Sequence, residues 1–270
     1  MTKFKIPIIL LSVFFITVSN TKNKNLQEDV KIIFPNYIPH ECINDNKARI
    51  TIFCINENDS YLSIGTKPSK YEYKLLDTFL HVFPRKIRER VVEVEFEYKD
   101  EFAGAAAATG IDTDNSLWTL WINTNKEASG DITEILKTIT HELMHYLTLN
   151  ITQTTVYADE CLGMEKVFAN CPKKNTLLYG FIQKFWVPIY DKRIWPKGDY
   201  NRYYDEHSDD FVTPYAVTDP AEDIAETFIE FIFNDKPKDS SLIKNQKILY
   251  FWKFDEYISL RKEIKKKLNK

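Results

Sequence analysis

Residues 138–150 read TITHELMHYLTLN, and no other stretch constrains the fold as much. Ile132, Ile135, Leu136, Ile139, Leu143 and Leu147 recur at helical spacing and define one buried stripe. Asp131 stands before the run and Glu134 three residues later, the spacing of a capping box. The pattern predicts a helix over about 132–149. Within it His141 and His145 sit one turn apart on nearly the same face, with Cβ atoms about 6 Å apart. Both point away from the apolar stripe, so the helix can bury one side and present the other to a cleft. Two imidazoles so placed can grip one metal ion, and zinc tolerates two ligands from one helix. Glu142 lies about 100° further round, beside the metal rather than on it, where a general base belongs.

A catalytic zinc needs a third protein ligand and an open position. The pattern HExxHxxGxxH would supply a histidine, but Thr148 and Ile151 occupy the positions it requires. A glutamate is expected instead, and two compete. Glu165 follows soon after in GMEKV, and Glu222 lies further on in YAVTDPAEDIAE. Asp219 is a natural N-cap there, Pro220 fits the first helical position, and Glu222 completes a second capping-box spacing. Glu222, Glu226 and Glu230 form an i, i+4, i+8 stripe, opposite Ile224, Ala225, Phe228, Phe231 and Ile232. Stacked carboxylates repel one another unless a cation or basic group meets them.

HELMH together with YAVTDPAEDIAETF resembles the gluzincin metallopeptidases, of the type found in the catalytic domain of anthrax lethal factor and in bacterial zinc-binding metallopeptidases. The resemblance covers these two motifs, with a longer spacer between them than in lethal factor. Tyr215, seven residues before Glu222, and Glu226, four after it, match the family's spacing. The resemblance implies Zn2+ held by His141, His145 and Glu222, with Glu142 as general base. It also implies that Tyr215 steadies the oxyanion or protonates the leaving amine, and that Glu226 supports a ligand from behind. The fold it implies is α+β and zincin-like. A small twisted mixed sheet would pack on the HExxH helix, followed by a mainly helical C-terminal half carrying the third ligand.

Elsewhere the pattern supports that order of elements. ARITIFCI (48–55) reads as a strand, and YEYKLLDTFLHVF (71–83) as a helix ending at Pro84. VVEVEFEY alternates, with Val92, Val94, Phe96 and Tyr98 on one face and Glu93, Glu95 and Glu97 on the other, so a half-buried strand is expected. FAGAAAATGIDTDNS reads as a loop or hairpin. LWTLWIN (117–123) is a strand apolar on both faces, and the candidate edge for an extended peptide. YYDEHSDDF, with His207, reads as a solvent loop, and NTLLYGFIQKFW and SSLIKNQKILYFWKFDEYISLRKEIKKKL carry helical periodicity.

The first residues pair a basic MTKFK with the apolar run IPIILLSVFFITV, too short to span a bilayer and fitting a secretory signal peptide over 1–22. A sheet-bearing subdomain is then expected over 23–150 and a helical one over 151–270. Four cysteines in an exported chain suggest two disulfides, Cys42–Cys54 and Cys161–Cys171 being favoured by spacing. A net charge of −3 gives no reason to expect nucleic acid as a partner, and no glycine-rich phosphate loop is present. The sequence thus points to a secreted or periplasmic zinc metallopeptidase, an endopeptidase rather than an exopeptidase. It would be a monomer with no stable membrane anchor, acting on a peptide or protein. The alternatives are a non-catalytic secreted binding protein of the same fold, or a zinc hydrolase of non-peptide amides.

Overall fold

The computed structural model describes residues 50–55, 58–97, 106–110, 117–124, 132–156, 161, 170–189 and 199–269. Residues 1–22, Cys42, Tyr98, the stretch IDTDNS, Asp131 and Glu165 lie outside the described residues. The fold is mixed α+β. Strands β1 (Ile50–Ile55), β2 (Tyr61–Gly65), β3 (Val91–Glu97), β4 (Ala106–Gly110) and β5 (Trp118–Asn123) form one mixed sheet in the order β2-β1-β3-β5-β4. β1 pairs antiparallel with β2 and β3, β3 runs parallel to β5, and β4 returns antiparallel to β5.

This order corrects two expectations. LWTLWIN is not an edge: β5 is paired on both sides, and the edge position beside it belongs to β4. Both its faces are covered as in an interior strand, with Leu120 and Ile122 buried on one and Thr119 and Asn123 on the other. The second correction concerns β3. Val94 and Phe96 are buried as expected, but Glu93 is only 1% exposed, with Thr119 Oγ1 on β5 donating to its carboxylate at 2.9 Å. Glu97 accepts from Trp121 Nε1 at 3.0 Å. The carboxylate face is thus buried at Glu93 and half-buried at Glu95 and Glu97, with Glu93 and Glu97 bonded to β5.

Helix α1 (Lys70–Val82) begins at a reciprocal capping box between Ser69 and Glu72 and buries Leu75, Leu76, Phe79 and Val82. Arg88 follows it and is almost fully buried. Its guanidinium takes both carboxylate oxygens of Asp59, at 2.7 and 2.8 Å, and donates to the Phe83 and Leu80 carbonyls. One side chain thus ties the turn between β1 and β2, where Asp59 sits at φ 60°, to the C-terminal end of α1.

Helix α2 (Ile132–Leu149) carries HELMH and packs on β4 and β5. The short strands β6 (Thr154–Val156) and β7 (Asn170–Pro172) follow as an antiparallel pair beside the Cys161–Cys171 disulfide. The Cys42–Cys54 pairing involves Cys42, outside the described residues. The helical half comprises α3 (Leu177–Phe185), α4 (Tyr200–Glu206), α5 (Pro220–Phe233), α6 (Ile243–Phe251) and α7 (Asp255–Leu268). α4 replaces the solvent loop expected from YYDEHSDDF, and His207 at its C-cap stacks on Tyr203 at 4.0 Å between ring centroids. α5 is the hub, packed against α2, α3, α6 and α7. One connected apolar cluster runs from Phe53 in the sheet through Leu143 in α2 and Phe228 in α5 to Ile264 in α7. Among the described residues no helix is long and apolar enough to cross a membrane.

Removing Arg88 leaves the Phe83 and Leu80 carbonyls without that donor and Asp59 with only the 3.3 Å bond from Arg85, at about 1–3 kcal/mol for each group so exposed, discounted for solvent reaching Asp59. Arg88→Ala should lower the melting temperature by about 5–10 °C, read by thermal denaturation. The Arg88 hydrogen bond also holds the Asp59 carboxyl below its usual range, so this contribution is present above pH about 4 and fades as pH falls further.

Candidate metal centre

The centre is made by two helices facing each other. On α2, Ile135, Leu136, Ile139 and Leu143 are buried as the stripe requires. The opposite face is covered too: His141 is 5% exposed, Glu142 7% and His145 7%. His141 and His145 face Glu222 on α5 rather than open solvent. α2 satisfies its buried hydroxyls internally, Thr140 donating to the Leu136 carbonyl and Thr148 to that of Met144. It ends where Asn150 donates to the Tyr146 carbonyl and accepts from the Thr152 amide.

α5 starts where the sequence places it. The Asp219 carboxylate accepts from the Ala221 amide at 2.8 Å, and Pro220 takes the first turn. Glu222 does not spend its carboxylate on the cap. Its Oε2 lies 2.9 Å from His141 Nε2 and 3.3 Å from His145 Nε2. His141 uses its other nitrogen on Glu226, Nδ1 to Oε1 at 2.7 Å. With Nδ1 spent on Glu226, Nε2 is the nitrogen that faces the centre, beside Glu222. Glu230, the third member of the stripe, binds Asn234 and takes no part.

Tyr215 opens a single 3₁₀ turn, Tyr215–Val217, ahead of α5. Its ring stacks on His141 with centroids 5.7 Å apart and planes 29° apart. Sequence reasoning missed Thr213. Its hydroxyl donates to Glu226 Oε2 at 2.8 Å and accepts from the Ala216 amide at 3.1 Å, tying the Tyr215 turn to the carboxylate behind His141. A hydroxyl two residues before Tyr215 was the available signal.

Charge dominates the site. Burial alone would push His141 down, but the hydrogen bonds of Glu222 and Glu226 and the charges of Glu222 and Glu142 hold it well above its usual range. Burial opposes ionisation of Glu222, yet the charges and hydrogen bonds of the two histidines keep its carboxyl far below the ordinary carboxylate range. Burial, then the charge and hydrogen bond of Glu222, with Glu142 and Glu226 behind, push the Tyr215 phenol far above its usual value. It is a neutral donor at any ordinary pH.

The buried group His141, His145 and Glu222 could hold a metal ion, its ligand atoms all lying within 4.8 Å of one another. The donor set fits a small dication. A tetrahedron with bonds of about 2.0–2.1 Å has edges of about 3.3 Å, close to the nitrogen–oxygen separations seen here. Each of the two imidazole nitrogens also needs a proton or a metal ion between it and the shared carboxylate oxygen, since two lone pairs so close repel. The chain matches no family model, no curated protein and no solved structure.

Metal titration calorimetry on single variants separates ligand from support. Glu222→Ala should abolish measurable binding of a divalent metal ion. Glu226→Ala, which frees the His141 ring, should weaken it about 10–100-fold. Equal effects would mean that Glu226 coordinates directly.

Proposed function

We propose that the protein is a zinc-dependent metallopeptidase of gluzincin type. The observation that carries this reading is the convergence of His141 Nε2 and His145 Nε2 on one oxygen of Glu222, with Glu142 on the same helix beside them. A base next to the ligands and a neutral phenol over them are what hydrolysis needs and a purely structural site does not.

Zinc, when bound, supplies Lewis acidity toward a substrate carbonyl and toward water. The chain's own residues do the rest. Glu142 accepts the proton of the attacking water and returns it to the departing amine. Tyr215 donates a hydrogen bond to the carbonyl oxygen as that oxygen gains charge. Glu226 and Thr213 hold the His141 ring in place. β4, at the sheet edge beside α2, offers main-chain groups to an extended peptide, which supports an endopeptidase. The Cys161–Cys171 disulfide and the apolar leader support a secreted or periplasmic enzyme.

Two variants test the assignment against a diverse peptide mixture, with and without a chelator. Glu142→Gln should retain zinc and lose hydrolysis, and full activity there would sink the mechanism. Tyr215→Phe should keep zinc content and melting temperature while kcat falls about 10²–10³-fold. Zinc binding without cleavage of any peptide would leave a non-peptide amide or a binding role as the better account.

A further inference from the structure

Behind the ligand helix lies an ion pair that catalysis does not use. Asp223 and Lys247 are each 0% exposed, with Lys247 Nζ 2.7 Å from Asp223 Oδ2. Asp223 is the residue after Glu222 and points the other way. The same Oδ2 receives Trp186 Nε1 at 2.8 Å from the end of α3, and Lys247 reaches it from α6. Thr227, one turn on, makes a longer contact of 3.4 Å to Oδ1.

Such a pair is an expensive way to hold two helices together. The ammonium has no well-aligned hydrogen bond, and one side of it is closed by the ring of Phe211, 3.7 Å away. Replacing a buried pair with apolar residues of similar volume is often neutral or stabilising. Stability alone therefore gives little reason for it. Geometry gives a better one. Residues 222 and 223 are about 100° apart on one helix turn, so a single rotation of α5 sets both directions. Apolar packing tolerates a few degrees of roll. A buried carboxylate oxygen held by an indole N–H at 2.8 Å and a counter-charge at 2.7 Å tolerates less, because moving it away leaves charge unpaired in the interior.

We propose that the Asp223–Lys247 pair, with Trp186, is a positioning device that fixes the rotation of the first turn of α5 and so aims Glu222 at His141 and His145. The inference rests on the metal-site reading for its consequence, but not for its geometry.

The test uses the double variant Asp223→Asn, Lys247→Met in the full chain. It keeps shape and the Trp186 acceptor while removing both charges, so neither partner is left buried alone. Asp223→Asn singly is the less foldable companion. The double variant should melt at or above the wild-type temperature. Its zinc affinity, measured by competition with a chromogenic chelator, should fall about 10–100-fold. In the metal-free protein, amide exchange over residues 222–226 should quicken at least tenfold relative to the rest of the core. A folded double variant with wild-type zinc affinity and unchanged exchange overturns the proposal and makes the pair mere packing. If the wild type itself takes up no zinc, the metal reading fails. The exchange measurement then decides the positioning claim alone, faster exchange at 222–226 upholding it and unchanged exchange ending it.

Discussion

Everything in this structure that bears on function depends on one contact, the approach of α2 to α5 through His141, His145 and Glu222. Buried imidazole and carboxylate are stable there only because each meets the other or a cation, since isolated charge in such a place is very costly. The surrounding architecture can be read as support for that approach. The sheet holds α2 from one side, while α3, α6 and α7 hold α5 from the other. The apolar cluster running through both halves offsets the cost of gathering polar groups at their junction.

The electrostatics of the centre follow from counting its partners. Three carboxylates, Glu142, Glu222 and Glu226, surround two imidazoles in a place water barely reaches. That imbalance holds His141 toward its charged form and Tyr215 toward its neutral one. A divalent cation would satisfy the same imbalance with one ion instead of several protons. The raised phenol also narrows what Tyr215 can do. It is unsuited to take a proton and well suited to share one.

Much of this was legible in the sequence, for identifiable physical reasons. The HELMH helix and α5 were visible because periodicity and capping act locally: α2 spans the expected residues, and Asp219 caps as its type predicts. The burial of Glu93 was not legible, because alternation along β3 says nothing about Thr119 across from it. FAGAAAATGIDTDNS was legible only as a loop or hairpin, and β4 decides for the hairpin. Its alanines have little strand preference of their own, and pairing with β5 decides their conformation. Asp223 and Lys247 left a fainter trace. Asp223 and Thr227 are polar residues one turn apart on the buried face of α5, and Lys247 precedes the buried Ile248 of α6. A charge set into an apolar face asks for a partner of opposite sign, and the two helices are each other's nearest source of one.

The distribution of the site along the chain carries a final consequence. Thr213, Tyr215, Glu222 and Glu226 all come from one short segment, folded on itself by the Tyr215 turn and the Asp219 cap. His141, Glu142 and His145 come from another, 81 residues earlier by the separation of His141 from Glu222. Each segment has its geometry set by local rules of helix and turn. What local rules cannot supply is the distance between them. Closing a connection of that length costs entropy that grows only slowly with the residues enclosed. The long spacer between the motifs is therefore thermodynamically mild, provided the ends are fixed by something rigid. β6, β7 and their neighbouring disulfide anchor the chain just after α2, and the Thr213–Glu226 bond anchors it just before α5. Between these anchors α3 also packs on α5, through Trp186 to Asp223, so only the chain outside such contacts can differ in length without moving Glu222. A separation of 81 residues between His141 and Glu222 is thus compatible with a centre whose two halves are each set by local rules.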